Sequence, residues 1–138
     1  MDFCITGYPR SRTSWFAAFF TTGPVFCHHE IALCKPEAQY IGFSGANFAI
    51  DPPDCPTVII ERDEGEVRKS LRHLTGKADE IIDKMSLSGL EGLRVKFEDI
   101  NDRLEEIWNY CVPLPFPKER ATMFINLDIE PNYGYLER

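Results

Sequence analysis

Residues 15–20, Trp-Phe-Ala-Ala-Phe-Phe, constrain this chain more than any other stretch. Read as the body of a helix from Thr13 to Thr22, the run is apolar on every face, which suits burial against a sheet and not a surface with one side in water. Gly23-Pro24 ends it. The residues before it are equally directive. Phe3-Cys4-Ile5 is an apolar run of the kind a buried strand gives, and Gly7 to Arg12 between the two is a turn dense in cations and hydroxyls. Strand, polar turn and helix in that order form a loop suited to anions, because free N–H groups and the dipole of the helix start converge on one point.

The alternation continues along the chain. Val25-Phe26-Cys27 predicts a second strand, which delivers His28, His29 and Glu30 at its C-terminal end, where open parallel sheets bind ligands. Thr57-Val58-Ile59-Ile60 is β-branched throughout and reads as a central parallel strand ending in Glu61-Arg62-Asp63. The helix that follows has Glu64 and Glu66 in its first turn, Val67, Leu71 and Leu74 on one face, and Arg72 and His73 in its last turn before Gly76; His73 reads as a surface residue complementing the dipole. A further amphipathic helix is expected from Lys77 to Met85, then a loop from Ser86 to Gly92. Leu93 to Phe97 alternates as a half-exposed or edge strand does. Asp99 or Asn101 can cap a helix that buries Ile100, Leu104, Ile107, Trp108 and Cys111.

Other segments give weaker signals. Ala32–Tyr40 reads as partly helical around Pro36, and Ile41–Cys55, with Gly42, Gly45, Pro52 and Pro53, as loop. Pro113, Pro115 and Pro117 forbid regular structure. Ala121–Leu127 suggests one more strand, and the end, with Pro131, Asn132 and Gly134, is expected to be irregular. The expected architecture is one α/β domain over residues 1–138, with a mostly parallel sheet between two layers of helices.

Composition bounds the function. With 138 residues, 43% of them hydrophobic, the chain can bury one core. Fifteen basic against 22 acidic residues give a net charge of −7, which argues against a general binder of nucleic acid or membrane surfaces. Neither an apolar run of about 18 residues nor the pattern of a signal peptide occurs, so a cytoplasmic location is expected. Five cysteines, an odd number without CxxC spacing, read as reduced and mostly buried thiols. Cys27, His28, His29, Glu30 and Cys34 look like zinc ligands at first, but adjacent histidines on an extended segment face opposite sides, and no metal is expected.

GYPRSRTSW, Gly7 to Trp15, resembles the 5′-phosphosulfate loop of the sulfotransferase family, whose cytosolic members carry a T-Y-P-K-S-G-T-T-W type motif. VIIERDEGEVRKS places Arg62 at a strand end and Ser70 eight residues later, similar to the family's pair for the 3′-phosphate of the donor, 3′-phosphoadenosine 5′-phosphosulfate (PAPS). VKFEDI, Val95 to Ile100, resembles the V-x-Y-E-D-L segment that follows in many members. The resemblance extends over about residues 2–111 and implies a P-loop-like sulfotransferase fold in a shortened form.

The resemblance also implies roles. Arg10 stands where the family has its catalytic Lys or Arg and would neutralise charge on the bridging oxygen as the sulfuryl group leaves. Ser11, Thr13 and Ser14 would donate to the 5′-phosphosulfate, and Trp15 would stack near the adenine or simply pack in the core. Arg12 replaces the family's loop glycine, a position favouring positive φ, and implies either a strained loop or a third cation in the pocket. The base that takes the acceptor's proton would come from beyond the second strand. His29 and Glu30 are preferred to His28, since the spacing of Cys27 to Glu30 is similar to the glutamate-bearing stretch of the protein-tyrosine members; alternatively these residues only position Arg10 or Ser11. The family's later basic-glycine motif has no counterpart beyond Lys118, Glu119 and Arg120. The expected function is therefore sulfate transfer to an unidentified hydroxyl acceptor, with an inactive nucleotide-binding or interaction module as the alternative. The lack of a Gly-Lys-Ser/Thr loop and of a clear strand-end Asp for a magnesium ion argues against a nucleoside triphosphatase.

Overall fold

The computed structural model describes residues 1–127; the expectation for Pro131, Asn132 and Gly134 lies outside them. Five strands form one all-parallel sheet in the order β2-β3-β1-β4-β5. They are β1 (Phe3–Gly7), β2 (Val25–His29), β3 (Tyr40–Ser44), β4 (Thr57–Glu61) and β5 (Leu93–Lys96). Five α-helices accompany them: α1 (Thr13–Phe20), α2 (Glu64–Arg72), α3 (Ala78–Asp83), α4 (Leu104–Cys111) and α5 (Lys118–Ile125). The architecture is thus α/β, a parallel sheet flanked by helices.

The residue pattern explains the layers. Val58 and Ile60 of β4 join Phe3, Ile5 and Val95 in a core with Phe16, Phe20, Leu104, Ile107 and Trp108, so α1 and α4 cover one face. Ile59, pointing the other way, meets Met85 and Leu87. Val67 and Leu71 of α2 pack on Ala78 and Ile82 of α3, and Tyr8 bridges these two smaller clusters. Helix α1, apolar from Trp15 onward, is buried along most of its length, Phe20 lying 4.9 Å from Phe3 and stacking on Trp108 at 5.0 Å. Neighbouring strands β1 and β4 are therefore followed by helices on opposite faces. In an open parallel sheet this leaves a crevice at their carboxyl ends.

Three expectations are corrected. Ile41–Cys55 is not all loop: it starts within β3 and continues into a 3₁₀ turn, Ala46–Ala49. Gly42, which reads as a loop residue, is a strand residue beside a ring, since a Cβ there would come within 2.1 Å of Phe3. No helix forms in residues 31–39; Pro36 withholds a donor, and the chain runs on until Gln39 and Tyr40 both donate to the Pro24 carbonyl. Ala121–Leu127 is not a strand but overlaps α5, because Pro117 opens a first turn of good helix formers, Lys118 to Ala121, and Ala121 and Phe124 then face the core together.

Smaller differences follow the same logic. α1 stops at Phe20, and neither Asp99 nor Asn101 caps α4, whose start at Leu104 follows Arg103 without a side-chain cap. The predicted buried face of that helix, from Ile100 to Cys111, is buried as expected. All five cysteines carry free thiols, and burial pushes Cys4 up to about 12 and Cys27 and Cys111 in the same direction. Among the described residues no helix is long and apolar enough to cross a membrane, and no group of His, Cys, Asp or Glu is arranged to hold a metal ion.

Candidate functional site

The loop between β1 and α1 is drawn tightly over the sheet. Gly7 permits this, for a Cβ there would lie 2.7 Å from the Ile60 carbonyl of β4. Arg10 and Arg12 then adopt left-handed backbone angles, φ 68° and 64°, and Arg12 becomes the residue from which α1 starts. No side chain caps α1, so the N–H groups of its first turn, which have no acceptor within the helix, face the loop. Ser44 Oγ of β3 donates to the Thr13 carbonyl at 2.7 Å and fixes that turn to the sheet.

Arg62 and Ser70 meet this loop at one residue. Arg62 Nη1 donates to the Arg10 carbonyl, and Arg10 Nε donates to Ser70 Oγ at 3.1 Å. Asp63 Oδ1 caps α2 by accepting from the Glu66 N–H, and the helix thereby carries Ser70 back to the loop two turns later. The Arg62 guanidinium lies 4.2 Å over the Phe97 ring, so the VKFEDI segment packs against the same cation. Two buried polar atoms here have no partner, Ser11 Oγ and Arg62 Nε. Ser11 is completely enclosed. Orphaned polar atoms of this kind are rare in native folds, and at a loop of this shape they fit an anion.

His29 and Glu30 reach the site from the end of β2. His29 Nε2 lies 3.2 Å from Ser14 Oγ, 3.5 Å from Thr13 Oγ1 and 3.9 Å from Glu30 Oε1. Burial lowers its pKa below the ordinary imidazole value, with Glu30 pulling the other way. Glu30 has φ 66°, and its backbone is held by the Ser44 carbonyl at 2.9 Å and by Asn47 Nδ2 at 3.2 Å. Arg10, Arg12 and Glu30 are the non-glycine residues with positive φ among those described, and all belong to this end of the sheet. Backbone strain concentrates at functional sites more often than elsewhere.

Not every candidate faces the loop's centre. Arg12 turns aside: Nη1 donates to Asn101 Oδ1 at 2.8 Å, and its guanidinium lies 4.0 Å over the Trp15 ring. Trp15 takes the core-packing option, 3% exposed, stacked on Phe19 and donating to the Phe124 carbonyl. His28 is buried between Phe26 and Phe43, away from His29, as alternation along a strand requires. Arg120 donates to the carbonyls of Ala18, Phe19 and Thr21, closing the far end of α1, about 12 Å along the helix from the loop.

A cavity of about 220 Å³ opens beside Arg10, with Thr13 and Glu30 on its wall and Leu71, Ile81 and Met85 behind them. Nothing in the residue pattern points to it. Its outer edge is the 3₁₀ turn carrying Asn47, whose only hint was a pair of glycines that read as loop. No protein-family model matches the chain, and no curated protein matches it either.

Proposed function

We propose that this protein binds PAPS at the β1–α1 loop and transfers its sulfate to a hydroxyl acceptor, on a P-loop-like sulfotransferase fold. One observation carries the reading: Arg62 and Ser70, distant in sequence from the loop, converge on Arg10, while the buried Ser11 hydroxyl beside them has no partner. Arg62 and Ser70 would hold the 3′-phosphate, and Arg10, Ser11, Thr13, Ser14 and the first N–H groups of α1 the 5′-phosphosulfate. Trp15 and Arg12 act behind the loop, Trp15 packing on Phe19 and Phe124 and Arg12 bonding Asn101 ahead of α4.

When bound, the donor supplies a sulfuryl group, which passes to the acceptor oxygen as its bond to the donor's phosphate oxygen breaks. Arg10 neutralises the charge left on that phosphate. Of the two candidate bases, Glu30 lines the cavity beside Arg10, whereas His29 directs Nε2 at Ser14 and Thr13. Glu30 is thus the group that takes the acceptor's proton, and His29 a positioning residue that orients the loop hydroxyls.

A second reading, donor binding without transfer, draws on Arg120. The late basic residue that would otherwise reinforce the 3′-phosphate grip is committed to the far end of α1. Both readings require adenosine 3′,5′-bisphosphate to bind. Calorimetric titration of that ligand into wild type and Arg62→Ala tests them together, with binding expected in the first and loss of about 30- to 100-fold in the second; no binding at millimolar ligand sinks both.

A further inference from the structure

We infer that Ser14 and His29 form a nucleophile–base pair that hydrolyses small carboxylic esters with a good leaving group, the N–H groups of the first turn of α1 serving as the anion hole. The inference goes beyond the transferase reading and needs no sulfate donor. The pair is the first argument. Ser14 Oγ lies 3.2 Å from His29 Nε2, within the reach a base needs to take a nucleophile's proton. Burial holds His29 below the ordinary imidazole value, which favours the unprotonated ring that a base requires. Both side chains can be reached from outside, Ser14 being half-buried and the His29 side chain 29% exposed.

The position of Ser14 is the second argument. It is the second residue of α1, after a turn in which Arg10 and Arg12 both take positive φ. Serine hydrolases place their nucleophile at a strained strand-to-helix turn, where a neighbouring backbone N–H holds the oxyanion. Here the helix ladder begins with the Phe16 N–H, which donates to the Arg12 carbonyl. The N–H groups of Thr13, Ser14 and Trp15 therefore have no acceptor within the helix. Ser11 is an independent sign of an anion, since its hydroxyl is fully enclosed and has no partner.

These atoms define the reaction. Ser14 Oγ attacks the ester carbonyl carbon as its proton passes to His29 Nε2, and the first turn of α1 holds the oxyanion. The bond to the leaving oxygen then breaks, and the alcohol departs with the proton from His29. Water attacks the acyl carbon and gives a proton to Nε2; that proton returns to Ser14 Oγ as the carboxylic acid leaves. Glu30 narrows the substrate class. Its Oε1 approaches Nε2, the nitrogen that moves the proton, at 3.9 Å, whereas the acid of a triad holds Nδ1. Glu30 thus does not steady the ring as a triad's acid does, and aryl esters suit the pair better than amides.

The test uses the full chain without donor. A fluorophosphonate reacts with activated serines, and peptide mapping should find it on Ser14 in wild type and in Cys34→Ser, which removes an exposed thiol. Wild type should also turn over phenyl acetate. Both reactions should vanish in Ser14→Ala and slow about 100-fold in His29→Gln, each variant first being shown to unfold cooperatively. No label on folded wild type, a label on another residue, or equal rates in wild type and His29→Gln would overturn the inference. Faster release of phenol from phenyl phosphate or phenyl sulfate than from phenyl acetate would do the same. Adenosine 3′,5′-bisphosphate separates this inference from the transferase reading. Bound at the same N–H groups it should slow the labelling, and labelling unchanged at saturation would contradict the anion hole. Failure of the bisphosphate to bind would sink the transferase reading alone, because the ester reaction is decided by its own measurements.

Discussion

At the scale of single residues, Arg12 decides how the loop is held. Its φ of 64° is the conformation a glycine adopts without cost, and an L side chain there carries about 1 kcal/mol of strain. The bond to Asn101 and the contact with Trp15 offset this. Arg12→Ala keeps the strain and loses the contacts, so it should destabilise the fold by about 1 kcal/mol, while Arg12→Gly loses the contacts and relieves the strain and should lie near wild type. Urea unfolding separates them; equal destabilisation in both variants would show that the strain is negligible. His29 gives a pH prediction. Its folded-state pKa lies below the unfolded one, so the unfolded chain takes up the proton first as pH falls. The stabilisation is complete above about pH 6.5 and is lost on acidification below it. The melting temperature of wild type should therefore fall between about pH 7 and pH 5.5, and His29→Gln should flatten that part of the profile. A slope unchanged in the variant would remove His29 as its cause.

At the scale of elements, what could be read from the sequence depended on whether an element's pattern was local. β1, β2, β4, β5, α2 and α4 announced themselves, because burial of their own side chains, and in α2 its own cap, shaped them: Asp63 with Glu66, Val67 with Leu71, Ile107 with Trp108. β3 and α5 did not. Gly42 is glycine because of Phe3, a residue 39 positions away, whose ring occupies the space of a Cβ. α5 contains Thr122, Phe124 and Ile125, which favour strands, and is helical because Phe124 must reach Trp15 and Phe19 while Arg120 reaches the end of α1. Gly42→Ala tests the first point. Phe3 is fully buried and tilted against Phe20, so the ring cannot yield, and a loss of about 3 kcal/mol is expected in chemical denaturation. Adding Phe3→Leu should recover part of it, since the two sites share one space. Additive losses would contradict the account.

At the scale of the whole molecule, an acidic protein brings Arg10 and Arg62 together with Ser70 at one end of its sheet. The candidate site was legible in outline: loop, Arg62, Ser70 and the β2 end were all named by motif and spacing. The sequence could not say that Trp15 and Arg12 serve the core, that Arg120 is spent on the far end of α1, or that Glu30 and not His29 borders a cavity. Each of those depends on side-chain direction, which one chain's sequence leaves open. The outer α2–α3 pair is fastened at the surface by Arg68, which bonds Glu64, Asp79 and Asp83, and this keeps Ser70 opposite the loop.

The central claim is that loop and α2 form one site for a nucleotide phosphorylated at both the 5′ and 3′ positions. Calorimetry comparing adenosine 3′,5′-bisphosphate with adenosine 5′-monophosphate addresses it most directly. Wild type should prefer the bisphosphate by about 30- to 100-fold, and Arg62→Ala, with its unliganded melting temperature checked, should bind the two alike. Equal affinity in wild type, or a preference that survives in Arg62→Ala, would contradict it.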